Sequence, residues 1–212
     1  MAINQDGSRK KLHTLVLGTS GSGKTQACKN LISQSGIRFV AFDPEGEHTK
    51  NGFDSFKEFS AVLKKADISG KPYRLAYTGA TCEKDFERFC EAVWDVLDGR
   101  KETYVLLEEV GQFTESSGPA MKKFRNLLLR GRKYGAIVYT VAQRPAEIPS
   151  TARQQSTFRY VGLMDGEDDA KAAAKFADVT AQKLLDIEPD TLTFYRKQTG
   201  KPAELLKFKY LG

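Results

Sequence analysis

Two hydrophobic rhythms alternate along the 212 residues. Short continuous apolar runs mark strands buried on both faces. They occur at Leu12–Leu17, Arg38–Phe42 (RFVAF), Tyr73–Tyr77, Tyr104–Leu107 (YVLL) and Ala136–Ala142 (AIVYTVA), and near residues 157–163. Between them apolar positions recur at helical spacing. Phe56, Phe59, Val62 and Leu63 predict a helix over Asp54–Ala66, with Asp54 or Ser55 near its N-cap. Phe86, Phe89, Cys90, Val93, Trp94 and Leu97 predict another over 83–97, stopped by Gly99. Further helices are expected over Lys24–Gln34, from near Pro119 to around Gly135, and near 166–177. The closing segments TLTFYRK and AELLKFKY predict a hairpin turning at Gln198–Pro202.

Strands that alternate with helices make a mainly parallel sheet covered on both faces, an α/β fold, with the hairpin as an antiparallel edge. Neither a low-complexity linker nor an internal repeat divides the chain. The expected organisation is a flexible arm over 1–11 and a single domain over 12–212. The apolar stretch at Leu12–Leu17 is too short for a signal peptide and runs into a glycine-rich loop. No run approaches the roughly 18 to 20 residues of a membrane-spanning helix, so a cytosolic protein without its own membrane segment is expected.

That loop is Gly18, Thr19, Ser20, Gly21, Ser22, Gly23, Lys24, Thr25, which fits G-x-x-x-x-G-K-[ST] without mismatch. Its glycines let the backbone curl so that N–H groups point inward toward phosphates. The following helix adds its partial positive N-terminus. Lys24 is expected to reach the β- and γ-phosphates of ATP and the Thr25 hydroxyl to ligate Mg²⁺. These features define a P-loop NTPase. Hydrolysis also needs an acidic group beside the metal and a group that orients water. YVLLEEV ends a strand on Glu108, expected at the metal, and Glu109, expected to polarise the attacking water. Gln143, at the end of the next strand, can hydrogen-bond the γ-phosphate or the lytic water and report its loss.

Charge changes the picture through its placement. The sequence carries 33 Lys+Arg against 27 Asp+Glu, a net +6. From Ser116 to Ala146 it holds Lys122, Lys123, Arg125, Arg130, Arg132, Lys133 and Arg144 and no acidic residue. Such a stretch is a solvated face, a source of arginine for a neighbouring subunit's site, or a row that neutralises nucleic-acid phosphates. Lys122, Lys123 and Arg125 are the candidate DNA contacts. Cys28, Cys82 and Cys90 stand singly and read as small buried thiols, without zinc or disulfide spacing.

The P-loop, the post-strand loop FDPEGE, the strand LLEEV and the string RGRKYGAIVYTVAQRP together resemble the FtsK–HerA superfamily of DNA-pumping ATPases, over roughly residues 12–165. The resemblance implies a RecA/FtsK-like core, Arg132 as an arginine finger acting in trans, Gln143 as a γ-phosphate sensor, and hexameric rings threading double-stranded DNA. Glu108 departs from the Asp-Glu that ends most such strands. A bare core of this size looks most like the genome-packaging ATPases of icosahedral viruses with an internal membrane, tectivirus-like phages among them. This implies capsid-vertex or virion membrane proteins as partners, and action in the host cytoplasm and at the packaging vertex. Two alternatives remain at this stage. One is a plasmid or chromosomal translocase core; the other is a nucleotide-dependent capsid-vertex switch that does not move DNA.

Overall fold

Every apolar run expected as a strand enters one sheet of the computed structural model, which describes residues 1–114 and 118–211. Among the described residues this sheet has nine strands. They are β1 (Thr14–Leu17), β2 (Arg38–Phe42), β3 (Gly52–Phe53), β4 (Tyr73–Tyr77), β5 (Thr103–Leu107), β6 (Ala136–Ala142), β7 (Phe158–Val161), β8 (Thr193–Gln198) and β9 (Glu204–Lys207). Their spatial order is β3-β4-β2-β5-β6-β1-β7-β8-β9. Pairing is parallel from β3 to β7, and β8 and β9 add the expected antiparallel hairpin. The mainly parallel α/β P-loop fold read from the sequence is thus the one observed.

Helices α1 (Lys24–Leu31), α2 (Phe56–Ser69), α3 (Glu83–Asp95), α4 (Val110–Phe113), α5 (Lys122–Arg130), α6 (Ser150–Gln155), α7 (Glu167–Ala177) and α8 (Ala181–Leu185) cover the faces. Strand alternation sends Leu15, Leu17, Val40 and Phe42 into one core, with the buried stripes of α2, α3, α5 and α7. Val16, Phe39 and Ala41 enter the other, with α1 and the hairpin's Phe194. Phe42 anchors the first core edge-on against Phe86, Phe89 and Phe113, at centroid distances of 5.0, 5.4 and 4.9 Å. Among the described residues no helix is long and apolar enough to cross a membrane.

Four expectations change. The helix drawn from Pro119 to Gly135 begins at Lys122 and ends at Arg130, followed by a tighter turn over Gly131–Tyr134. Its start is fixed from outside: the Glu87 carboxylate of α3 accepts the Lys123 N–H at 2.9 and 3.0 Å and the Phe124 N–H at 3.0 Å. The opening residues, drawn as a flexible arm, are docked. Ile3 pairs with the Leu97–Gly99 turn, the Asp6 N–H donates to Lys133 O at 2.8 Å, and the Arg9 Nε donates to Gly99 O at 2.5 Å. Cys82 is exposed, unlike buried Cys28 and Cys90, because it sits at the outer start of α3. Finally β3, α4, α6 and α8 are too short for periodicity to reveal.

Candidate functional site

The strand order brings the expected catalytic groups together. β6 lies between β1, which feeds the P-loop, and β5, whose last residue precedes Glu108. Gln143, just past β6, therefore stands between the two at the carboxyl edge of the sheet, where α/β proteins bind ligands. A cleft of about 390 Å³ opens there, and Ser20, Lys24, Thr25, Glu108, Glu109 and Gln143 all line it.

Gly23 caps α1 in the left-handed conformation, at φ 86°, and offers that helix no side-chain cap. A Cβ at this position would strike Leu192, which precedes β8, so the hairpin closes directly on the P-loop. The open helix start and the curled loop form a phosphate cradle. Lys24 is buried and donates to Thr19 O at 3.0 Å. Burial holds its ammonium pKa below the ordinary 10.5, while Glu109 and Glu108 pull it back up. Lys24 thus faces the cleft as a partly desolvated cation that an incoming phosphate would neutralise.

Glu109 occupies the left-handed region at φ 48°, a costly conformation for a side chain with a Cβ. That backbone turn ends β5 and starts α4, and it aims the carboxylate at Gln143. The Gln143 Nε2 donates to Glu109 Oε1 at 2.8 Å. Burial raises the Glu109 pKa above 4.5, opposed by the Gln143 hydrogen bond and by Lys24. A half-buried carboxylate with raised basicity is suited to accept a proton from water.

The sequence reading picked out the loop after β2 as part of the family resemblance but gave its residues no role. Asp43, fully buried, accepts the Glu47 N–H at 3.1 Å and the His48 N–H at 2.9 Å. The loop then delivers Glu47 Oε2 to the Thr25 hydroxyl, which donates at 2.6 Å, and His48 Nε2 to Glu108 Oε1 at 2.5 Å. Asp43, Glu45, Glu47 and Gln112 also line the cleft. Their available signal was position, since a polar loop at the carboxyl end of a central strand belongs to the ligand edge. Magnesium prefers oxygen donors and keeps waters and substrate phosphates in its shell. A hydroxyl beside carboxylates, opening on a phosphate cradle, fits that preference. Among the described residues no three acidic, His or Cys side chains converge to hold a metal unaided, so phosphate oxygens would complete the shell.

Arg132 lies at the opposite end of β6. The whole of β6, seven residues at about 3.3 Å each or roughly 23 Å, lies between it and Gln143. Its guanidinium donates to Gly7 O at 3.0 Å and also to Arg9 O of the docked N-terminal segment. The adjoining turn needs Gly135, at φ 82°, where a Cβ would strike the Lys101 carbonyl. The basic stretch, acid-free in sequence, meets acids in space; Ser116 at its start lies outside the described residues. Lys123 pairs with Glu91, and Arg144 Nε lies 2.8 Å from Asp169. Arg130 lies over the Trp94 ring at 5.8 Å. Lys122 and Arg125 stand exposed on α5.

Residues 3–69, holding the P-loop and the acidic loop, match the type IV secretion-system coupling protein DNA-binding domain family. Protein P9 of Pseudoalteromonas phage PM2 is 27% identical over 202 residues, covering 94% of this chain and 91% of P9. The genome packaging NTPase B204 of Sulfolobus turreted icosahedral virus 2, solved with AMPPCP, superposes with a TM-score of 0.72 at 15% identity, covering 94% of this chain and 98% of B204. VirB4 of Thermoanaerobacter pseudethanolicus follows at 0.67 and 12%, covering 94% and 90%. The resemblance to FtsK–HerA-like packaging ATPases holds. P9, B204 and VirB4 each align over 94% of this chain, whereas the coupling-protein family match is confined to residues 3–69. At these identities the structural likenesses show the fold.

Proposed function

We propose that this chain is an ATP-hydrolysing motor that moves double-stranded DNA and packages a viral genome into a preformed capsid. The observation that carries the reading is the Glu109–Gln143 hydrogen bond, which faces Lys24 across one cleft. A base, a neutral sensor and a phosphate-binding cation then share one site. In this reading the P-loop backbone and Lys24 hold the ATP phosphates. Thr25 and the adjoining carboxylates would hold magnesium, which would supply neutralisation of the phosphate charge. Glu109 accepts the proton of the attacking water. Gln143, which binds Glu109 in this structure, turns its amide to the γ-phosphate and reports its loss through β6.

The distance between Arg132 and its own cleft supports the finger's use on a neighbouring subunit, and hence a closed ring. Lys122 and Arg125 are the proposed DNA contacts on α5. Lys123 is a weaker one, because Glu91 already engages its ammonium. The viral packaging protein B204 and the phage protein P9 among the similar chains favour packaging over a plasmid or chromosomal role.

Two variants test the chemistry. Lys24→Ala is expected to lose nucleotide binding in a fluorescent-nucleotide titration. Glu109→Gln is expected to bind ATP as the wild type does while turnover falls at least about 100-fold. Wild-type turnover in Glu109→Gln would remove Glu109 from the catalytic role.

A further inference from the structure

The post-β2 loop holds both residues expected at the metal, but in different ways. Thr25 donates its single hydroxyl proton to Glu47 Oε2 at 2.6 Å, which leaves its oxygen lone pairs free for a cation. Glu47 is exposed at the rim of the cleft, and among the described residues its other carboxylate oxygen accepts no hydrogen bond. Glu108, by contrast, is buried at 8% exposure, and its Oε1 is committed to His48, itself 6% exposed. His48 is fixed through its backbone N–H by fully buried Asp43. Glutamate is one methylene longer than aspartate, and in this fold that added length carries the Glu108 carboxylate to His48.

We propose that the carboxylate serving the magnesium beside Thr25 is Glu47, while Glu108 is a positioning residue. Through His48, Glu108 clamps the loop that presents Glu47. The inference rests on the nucleotide-site reading above and assigns a role within it. It accounts for the glutamate at the position where an aspartate was expected: the metal-side function moves to the neighbouring loop, and the strand end becomes that loop's anchor. The phosphate cradle and the Thr25 hydroxyl are the independent features that point to a metal-bound phosphate at this rim.

The test measures binding, not turnover. A fluorescent ATP analogue is titrated into wild type, Glu47→Gln and Glu108→Gln, each with Mg²⁺ and with a chelator. Wild type is expected to gain about tenfold or more in affinity from Mg²⁺. Glu47→Gln, a substitution on an exposed side chain, is expected to keep its metal-free affinity and lose most of that gain. Glu108→Gln retains an amide oxygen as acceptor for His48 and is expected to keep the gain. Loss in Glu108→Gln with the gain intact in Glu47→Gln overturns the proposal, and so does equal loss in both. Absence of nucleotide binding by folded wild type in either condition overturns the nucleotide-site reading itself, a distinct outcome.

Discussion

Glu109 pays for its position with a left-handed backbone at φ 48°. Such strain persists only when neighbours over-determine it, and here β5, α4 and Gln143 do so together. His13 illustrates a polar group with a structural task. Its Nδ1 accepts the Val138 N–H at 3.1 Å and its Nε2 donates to Leu128 O at 3.2 Å, so it is neutral in the folded protein. Burial holds its pKa down at about 4, against 6.5 for a free histidine. As pH falls from 6.5 toward 4, the unfolded chain gains a proton that the folded chain refuses, and stability declines across that window. The full effect is at most about 3 kcal/mol. Thermal midpoints of wild type are therefore expected to fall more steeply between pH 6.5 and 4.5 than those of His13→Gln; parallel curves would deny His13 this part. Glu109, Gln143 and the P-loop were legible because each ends an apolar run. Glu47 and His48 were not, since their placement depends on buried Asp43 folding the loop back.

At the level of elements, the position of β6 governs the site. Placed between β1 and β5, it joins the phosphate loop to the glutamates and leads back to Arg132 at its other end. Long apolar runs announced these strands, and β2, β4 and β6 match their expected bounds because burial on both faces leaves no alternating signal to misplace. Element ends set by tertiary partners escaped the sequence. The start of α5 depends on Glu87 from α3, about 35 residues earlier, and no local cap residue announces it. The acid-free stretch misled in a similar way. Glu87, Glu91 and Asp169 lie far from it in the chain and beside it in the fold.

For the whole molecule, the docked N-terminal segment matters most. It covers the edge of the sheet remote from the cleft and binds the guanidinium of Arg132 through two backbone carbonyls. The sequence of residues 1–11 is polar and gave no pattern, because the segment is held by scattered backbone and side-chain hydrogen bonds and not by an apolar stripe. If Arg132 serves a neighbouring site, assembled Arg132→Ala should bind ATP normally and hydrolyse it about 1000-fold more slowly. Mixing it with Lys24→Ala should restore part of the rate, because the Lys24→Ala subunits still contribute Arg132. Wild-type hydrolysis by assembled Arg132→Ala, or no recovery on mixing, would contradict the trans assignment.

The central claim is that ATP hydrolysis here is coupled to double-stranded DNA. The most direct measurement is the steady-state ATPase rate of the assembled protein with and without linear duplex, with Glu109→Gln as the blank. The account predicts that duplex DNA raises the wild-type rate several-fold, that the rise weakens with added salt as phosphate contacts are screened, and that the blank stays flat. An active wild type whose rate is indifferent to duplex at low salt would contradict it and favour a nucleotide-dependent switch that does not move DNA.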